Sequence, residues 1–339
     1  MKKNYLVSVI MPVFNGESYV REAIESVLNQ SYTNFEFIIM NDGSTDKSES
    51  IVRSFQDERI KLINNPVNIG LVKTLNLAIS HCKGEFIARF DSDDICMQNR
   101  LEKQLKQFSQ NSTLDVVGST ANIIDSCGHH KGLFKVPEEH TDIHLGMLFN
   151  NQIIHPTVMI RRKSILKYMP NVYDVKDQHV EDYGLWVKML SNHQFYNIQV
   201  PLIKYRVHDT KISTIYSKSQ IENSKKIKST ISKFYSVNPD VTETHRLYLR
   251  DSSLSLQDAN ERIFTRLNDD FYSSMFVSRI FWEAALKERI KGRRSFSIYH
   301  KSAFRKKAIW YFLLLLSPLI VKLPEKFFEK RLRIFGEYR

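Results

Sequence analysis

The sequence predicts an α/β fold, in which a mostly parallel sheet carries helices on both faces and a mainly helical C-terminal region follows. Strand-type and helix-type patterns alternate over the first hundred residues, which is typical of parallel strands joined by crossover helices. The charge distribution then separates two parts of the chain. Residues 1–216 contain 24 basic and 24 acidic residues, whereas residues 217–339 contain 25 basic and 13 acidic residues.

The predicted elements follow in order along the chain. Four apolar runs are predicted strands, at 7–14, 35–41, 60–65 and 86–90. Between them, helical spacing of apolar residues or capping residues at the start predict helices at 17–30, 44–55 and 68–81. Mixed patterns predict further strands near 115–124, 156–161 and 195–206, and further helices near 141–149, 163–168 and 182–191. Beyond residue 217 the chain reads as mostly helical and is rich in Lys and Ser.

Length and cysteine content limit the protein class. A chain of 339 residues is long enough for about two domains. We expect no secretory signal peptide, because the first apolar run is short and is interrupted at Asn15. The three cysteines (Cys82, Cys96 and Cys127) are odd in number and lack metal-type spacing. Reduced thiols and a cytoplasmic location are therefore expected.

Polar clusters follow three of the predicted strands. They are Phe14-Asn15-Gly16, Asn41-Asp42-Gly43-Ser44 and Asp91-Ser92-Asp93. In open α/β sheets, ligands bind beyond the carboxyl ends of the strands. We therefore expect the three clusters to converge on one crevice.

The third cluster continues to Asp94 and so places three carboxylates within four positions. Like charges this close raise one another's pKa, so a cationic partner is expected. One alternative is a solvated turn that caps a helix starting near Gln98, worth about 1 kcal/mol. A calcium loop lacks the required Gly and Glu spacing. The third interpretation is a divalent cation that bridges the phosphates of a nucleotide. The chain contains neither a GxxxxGK[ST] nor a GxGxxG loop, so the phosphates would depend on the cation and on side chains instead of a backbone loop.

Seven segments form a set of motifs along the chain. Four lie in the first half: VSVIMPVFNGESYVREAIESVLNQSY, IIMNDGSTDKS, NIGLVKTLNLAI and ARFDSDD. Three lie further on: HPTVMIRR, EDYGLWVKM and YRVHDTKIS. In this order and spacing they resemble the family 2 glycosyltransferases of GT-A fold, of the bacterial polysaccharide, O-antigen and capsule type, and the resemblance covers about residues 6–215. It implies a catalytic domain at 1–216, with a nucleotide-binding half at 1–112 and an acceptor half at 113–216.

The resemblance also implies roles for single residues. Donor-binding roles fall on Pro12, Phe14, Glu17, Asp42, Asn68, Asp91, Ser92 and Arg206. A site for Mn²⁺ or Mg²⁺ falls on Asp93, Asp91 and His208. Asp182 matches the general base, and His155 and Glu181 are expected to contact the acceptor. One base without a second nucleophile implies a single displacement that inverts the anomeric centre.

Several of these residues have a plainer interpretation. Asp182 also suits the start of the helix 182–191. Arg206 holds the leaving diphosphate or completes the metal shell, whereas His208 is either a metal ligand or a packing histidine. His155 orients the acceptor or ends a strand. Asn41 stands where many family members have a second Asp, and Asp42 beside it is expected to make the nucleobase contact.

The C-terminal third allows two interpretations. The segment 291–307 carries seven basic and no acidic residues, and 308–321 is an apolar run of 14 residues. That run is shorter than the ~20 residues of a spanning helix, so it is either a buried core helix or a segment on an anionic membrane surface. Surface association fits an acceptor linked to a polyprenyl diphosphate, which the family resemblance implies. We then expect a cytoplasmic protein, peripheral on the inner face of the membrane.

Three classes of function compete at this point. The first is an inverting glycosyltransferase with a nucleotide-sugar donor, a UDP-hexose or UDP-N-acetylhexosamine. The second is a metal-dependent nucleotidyltransferase, which normally carries a Gly-rich basic loop where this chain reads PVFNGESYV. The third is a non-enzymatic basic protein that binds membranes. Nucleic acid is not an expected partner, because the basic tail lacks interleaved aromatic residues and known motifs.

Overall fold

The computed structural model describes residues 4–147, 150–209, 211 and 215–234. Its strands are β1 (Val7–Val13), β2 (Phe35–Asn41), β3 (Ile60–Asn64), β4 (Phe86–Arg89), β5 (Ile95–Cys96), β6 (Leu114–Ser119), β7 (Ala121–Ile124), β8 (His130–Phe134), β9 (Met159–Arg161), β10 (Gln194–Ile198) and β11 (Ile203–Arg206). Its helices are α1 (Val20–Leu28), α2 (Ser48–Arg53), α3 (Leu71–Ser80), α4 (Arg100–Gln110), α5 (His140–Gly146), α6 (Arg162–Leu166), α7 (Glu181–Met189) and α8 (Ser217–Phe234). Short 3₁₀ turns lie at His155–Thr157 and Val175–Asp177. The predicted C-terminal segments 291–307 and 308–321 lie outside the described residues.

A seven-stranded sheet forms the centre of the fold, in the order β10-β6-β9-β4-β1-β2-β3. The pairs β1–β2, β1–β4, β2–β3 and β10–β6 are parallel, and β9 runs antiparallel to β4 and β6. The register pairs Val13 with Asn41, so the loops after β1 and β2 leave the sheet side by side. This arrangement confirms the predicted α/β fold with a mostly parallel sheet.

Both faces of the central strands are covered. Alternate residues of β1, such as Val9 and Met11, belong to one apolar cluster with Val20 and Ile24 of α1. The residues between them face α3, which contacts β1 on the opposite side. Every residue of β1 and β2 is buried, as expected for parallel strands with a helix layer on each face.

A second sheet of four strands, in the order β5-β11-β7-β8, was not predicted as a separate sheet. Two predicted strands each divide between the sheets: 115–124 becomes β6 and β7, and 195–206 becomes β10 and β11. Thr120 marks the crossing, because its N–H donates to Ile198 O and its carbonyl accepts from Leu202 N. Apolar periodicity continues through both crossings, so it does not show where a strand changes partners. The short strands β5 and β8 were missed.

Helices next to the polar clusters are shorter than predicted. The helix predicted at 17–30 begins at Val20, because residues 14–17 form a loop that bonds to the loop after β2. The helix predicted at 44–55 begins at Ser48 for the same reason. The polar residues at these positions are therefore loop residues that are available to a site.

Two further observations concern the cysteines and the helices. All three cysteines are free thiols; Cys82 and Cys96 are buried and Cys127 is exposed. Among the described residues, no helix combines the length and the hydrophobicity needed to cross a membrane.

Candidate active site

The loops after β1 and β2 are joined by reciprocal hydrogen bonds. Asn15 N donates to Ser44 Oγ at 3.1 Å, and Thr45 N donates to Asn15 Oδ1 at 2.9 Å. Asn15 itself adopts a left-handed conformation with φ of 48°. Glu17 joins the same network, since its carboxylate accepts from Lys47 N at 3.0 Å. The first two predicted polar clusters, Phe14-Asn15-Gly16 and Asn41-Asp42-Gly43-Ser44, are therefore joined into one surface, which we call the rim.

Predicted donor-binding residues lie along this rim. Phe14 is 50 % exposed at the end of β1, while Pro12 before it is buried. Gly16 brings the rim against the aspartate loop, since a Cβ at Gly16 would lie 3.4 Å from Ser92 Oγ. An exposed aromatic ring at the end of a parallel strand offers a flat apolar surface to a nucleobase. Their donor contacts stay predictions.

Asp42 holds the turn that leads into α3. Its Oδ1 accepts from Asn65 Nδ2 at 2.8 Å and from Ile69 N at 2.9 Å, and its Oδ2 accepts from Gly70 N at 3.0 Å. A carboxylate offers about four acceptor positions, so one remains for an N–H group of a ligand. Asp42 therefore has a structural role in this turn, and its nucleobase contact stays a prediction.

Gly43 allows the same turn to approach. Its φ is +68°, and a Cβ at this position would lie 2.5 Å from Val67 C and 2.6 Å from Asn68 N. Any side chain would force the backbone apart. Asn68 is thereby held beside the end of β2, where it is exposed.

Three basic side chains lie against the aspartate cluster. Arg89 Nη2 is 2.6 Å from Asp91 Oδ1, His208 Nε2 is 2.9 Å from Asp93 Oδ2, and Lys211 Nζ is 3.1 Å from Asp93 Oδ2. The capping interpretation is therefore wrong, because α4 begins at Arg100 and its N-cap, Asn99, makes no side-chain capping bond. Basic groups of the chain itself therefore lie against the cluster, whereas the divalent cation expected from the sequence stays a prediction.

The pKa values of Asp93 and Asp94 are shifted in opposite directions. Burial opposes ionisation of Asp93, but Lys211 and His208 outweigh it and lower its pKa to about 2. Burial raises the pKa of Asp94 to about 8, and the charges of Asp93 and Asp91 add to this rise. The carboxylates of Asp91, Asp93 and Asp94 each place an oxygen within 4.8 Å of the others.

This cluster fits a divalent cation. Asp94 Oδ2 is buried and has no hydrogen-bond partner among the described residues. Buried polar atoms without a partner are rare and indicate a missing ligand or ion. Carboxylate oxygens are the ligands that Mg²⁺ and Mn²⁺ prefer, and His208 Nε2 already faces Asp93 Oδ2.

Arg206 is occupied by the protein itself. Its Nε donates to Asp93 O at 2.8 Å, its Nη1 to Asp125 O at 3.3 Å and Ser126 O at 3.1 Å, and its Nη2 to Glu22 Oε2 at 2.6 Å. The side chain is 2 % exposed. Contact with the donor diphosphate stays a prediction that this geometry does not favour. Arg206 instead joins the aspartate loop to α1 and to the end of β7.

Glu181 and Asp182 open α7. Asp182 is not the capping residue, because Val180 occupies that position. Its Oδ1 accepts from Tyr183 N at 2.7 Å and its Oδ2 accepts from Asn151 Nδ2 at 2.7 Å. Burial raises the pKa of Asp182, and burial together with the neighbouring Asp182 raises the pKa of Glu181 to about 7. A carboxylate poised near neutral pH is suited to take a proton from a substrate.

The structure adds Arg89 to the site, where its Nη2 lies 2.6 Å from Asp91 Oδ1. Burial raises the pKa values of Glu181 and Asp182, and the positive charge of Arg89 opposes that rise. Arg89 is 3 % exposed, and its Nε and Nη1 have no hydrogen-bond partner among the described residues. An arginine in the otherwise apolar strand 86–90 was the available signal, since arginine is rarely buried without a charged partner.

His155 is placed in the core instead of on an open surface. Its Nε2 is 2.9 Å from Tyr173 Oη, and its ring packs edge-on to Trp186 at 6.1 Å. Burial and the charge of Arg89 lower its pKa well below the usual value, so the ring is neutral. The predicted acceptor contact stays a prediction, and the geometry favours the packing role.

Comparison with known proteins identifies the family. The family model described as "Glycosyl transferase family 2" matches residues 8–169. WfgD of Escherichia coli, a UDP-Glc:alpha-D-GlcNAc-diphosphoundecaprenol beta-1,3-glucosyltransferase, is 34% identical over 213 residues, which cover 62% of this chain and 81% of WfgD. The O-antigen biosynthesis glycosyltransferase WbnJ of Escherichia coli is 35% identical over 211 residues, covering 60% of this chain and 80% of WbnJ.

A solved structure shows the same fold. The crystal structure of S. aureus TarS 1-349 in complex with UDP-GlcNAc has a TM-score of 0.55 and 19% identity, and the match covers 80% of this chain and 78% of that one. This likeness concerns the fold and confirms the predicted GT-A architecture. Together with the relatives that match over most of their length, it leads to one conclusion. The chain belongs to glycosyl transferase family 2 and is a glycosyltransferase.

Proposed function

We propose that this enzyme transfers a hexose or N-acetylhexosamine from a uridine diphosphate sugar to a lipid-linked saccharide acceptor, with inversion at the anomeric carbon. The observation that carries the proposal is the juxtaposition of three parts. Gly16 of the rim approaches Ser92 of the aspartate loop, and Arg89 pairs with Asp91 of the aspartate cluster at 2.6 Å. The charges of Arg89 and Asp91 both act on the pKa of Glu181, which brings the Glu181–Asp182 pair into the same electrostatic environment. A donor seated on the rim and the cluster presents its sugar toward the pair.

Asp182 acts as the general base in this proposal. The acceptor hydroxyl oxygen forms a bond to the anomeric carbon while its proton passes to a carboxylate oxygen of Asp182. The bond from that carbon to the phosphate oxygen breaks, and the nucleoside diphosphate leaves with the electron pair. Asn151 and Tyr183 fix the carboxylate by two hydrogen bonds of 2.7 Å, so it waits in a defined orientation. Positioned bases contribute about 10²–10⁴-fold to rate.

Asp93, Asp91 and His208 would hold the divalent cation, Mn²⁺ or Mg²⁺, which when bound neutralises charge on the leaving diphosphate. Arg206 positions the loop that carries these ligands, since it grips the backbone carbonyl of Asp93. Arg89 orients Asp91 through a contact of 2.6 Å. The residues of this chain therefore prepare the site before any ligand arrives.

The proposed substrates are supported by the relatives. WfgD uses UDP-glucose, and its acceptor is an N-acetylglucosamine attached to diphosphoundecaprenol. WbnJ takes part in O-antigen biosynthesis. We infer a polyprenyl-diphosphate-linked saccharide acceptor and a role in cell-surface polysaccharide assembly, including O-antigen or capsule. The basic residues of 291–339 would keep the enzyme on the anionic inner face of the cytoplasmic membrane.

Family membership decides against the two competing classes of function. A nucleotidyltransferase and a non-enzymatic membrane-binding protein were both compatible with isolated features of the sequence. Neither class requires an acidic pair at the start of α7 together with an aspartate cluster of metal-binding type.

The experiment is a donor panel with a defined acceptor. Purified full-length protein is incubated with individual UDP-hexoses and UDP-N-acetylhexosamines and with short polyprenyl-diphosphate saccharides, and the product is analysed by NMR. The expected result is transfer from one UDP-sugar with a β linkage from an α-linked donor. Retention of the α configuration would refute the single displacement, and transfer from only non-uridine donors would refute the proposed donor.

A further inference from the structure

Lys211 occupies the carboxylates of the proposed metal site. Its Nζ lies 3.1 Å from Asp93 Oδ2 and 3.2 Å from Asp94 Oδ1, and its side chain is 8% exposed. The same nitrogen lies 3.8 Å from the centroid of the Tyr205 ring. The ammonium group thus lies against the carboxyl groups of Asp93 and Asp94 and against one aromatic ring, so the chain itself places a cation at the proposed metal site.

Asp93 Oδ2 is the atom for which the chain's own side chains and a divalent cation compete. It lies 2.9 Å from His208 Nε2 and 3.1 Å from Lys211 Nζ. A carboxylate oxygen has two lone pairs, so these two partners use its acceptor capacity. A divalent cation bound through this oxygen competes with one of them. His208 is itself a metal-ligand type, which leaves Lys211 as the group that has to withdraw.

Withdrawal of Lys211 is costly unless another anion receives it. A buried ammonium group that loses its carboxylates and faces an incoming divalent cation is left uncompensated, and such charges strongly destabilise a protein. The diphosphate of a nucleotide removes the conflict, because it brings negative charge to the same place as the cation. The cation alone offers no such compensation.

We propose that Lys211 makes divalent cation binding conditional on a nucleoside diphosphate: it holds Asp93 and Asp94 in the nucleotide-free site and moves to the diphosphate when both ligands bind. The inference rests on the proposed metal role of Asp93, Asp91 and His208. Because coupling between two ligands is reciprocal, the cation strengthens nucleotide binding by the same factor. Couplings of this kind are typically about 5–150-fold.

The test measures Mn²⁺ binding to the full-length protein by titration calorimetry, with and without saturating UDP. In the wild type, we expect UDP to tighten Mn²⁺ binding by ~10-fold or more. In Lys211→Met, Mn²⁺ alone should bind ~10-fold more tightly than in the wild type, and the effect of UDP should shrink accordingly. Mn²⁺ alone should also raise the melting temperature of this variant more than that of the wild type.

Two further variants separate charge from structure. Lys211→Arg keeps the positive charge and should retain the dependence on UDP. Lys106→Met removes one charge from an exposed position on α4, and it should bind Mn²⁺ as the wild type does. If Lys211→Met does not fold, Lys211→Gln provides the same test, because it keeps an N–H donor without the charge.

The outcomes distinguish this inference from the proposed function. If Lys211→Met binds Mn²⁺ alone no more tightly than the wild type, while both bind it with UDP, the role of Lys211 is refuted and the metal site stands. If no variant binds Mn²⁺ even with UDP, although UDP itself binds, the metal role fails and this inference fails with it.

Discussion

Replacing Asp182 by Asn separates its catalytic from its structural contribution. The amide keeps the size of the carboxylate and accepts from Tyr183 N, but it does not take a proton. We expect kcat to fall by about 10²–10⁴-fold, which corresponds to roughly 2.7–5.5 kcal/mol of transition-state stabilisation. In the wild type, Asn151 Nδ2 donates to Asp182 Oδ2 at 2.7 Å. In the variant, the amide places an N–H group toward this donor, so the hydrogen bond is lost. Loss of that hydrogen bond should lower the free energy of unfolding by about 1–3 kcal/mol.

Asn151→Ala is the matched control. It removes the same hydrogen bond and leaves the carboxylate in place, so it should destabilise the fold by a similar amount. Its kcat should remain within about 10-fold of the wild type, because the base is still present. Urea unfolding measures the first quantity, and initial rates at saturating donor and acceptor measure the second.

The pH profile provides a second readout. Burial raises the pKa values of Glu181 and Asp182, so the wild-type rate should fall as the pH drops through the apparent pKa values of the pair. Glu181→Gln removes the neighbouring negative charge that favours protonation, so the acid limb should move to lower pH. The reasoning is refuted if Asp182→Asn loses donor binding but keeps turnover, or if Asn151→Ala loses as much turnover as Asp182→Asn.

Three further predictions follow, two from the contacts of Asp93 and Arg89 and one from the charge of the C-terminal segment. Asp93→Ala should abolish transfer and the metal-dependent part of UDP binding while the protein stays folded; full wild-type activity in excess EDTA would contradict the metal role. Arg89→Met breaks a buried ion pair of 2.6 Å and should lower the free energy of unfolding by about 3–5 kcal/mol. It should also move the acid limb of the rate to higher pH, because the Arg89 charge favours ionised Glu181 and Asp182; an unmoved limb would show that Arg89 acts on Asp91 alone. A chain ending near Lys287 should still glycosylate a short soluble acceptor but lose salt-sensitive binding to anionic vesicles; equal vesicle binding by both chains would refute the membrane role of the tail.

The sequence by itself determined the class of fold and the edge of the sheet that carries the site. Alternating periodicities identify parallel strands with helices on both faces, and polar residues after such strands have to meet, because parallel strands end at the same edge. Asn15, Asp42 and Asp91 were therefore predictable as neighbours. The order of the motifs added the family and the candidate base, Asp182.

Only the tertiary structure decided how the charges are compensated. Lys211 is far from the aspartate cluster in sequence, yet its Nζ lies 3.1 Å from Asp93 Oδ2. Local patterns report which face of an element is apolar, but not which distant side chain reaches it. The same limit explains why the second sheet was not predicted. The chain passes from the first sheet to the second near Thr120 and near Leu202, and the apolar periodicity does not change at either place. Arg206 shows the consequence for function. Its motif predicts a phosphate contact, but in the fold its Nε donates to the backbone carbonyl of Asp93.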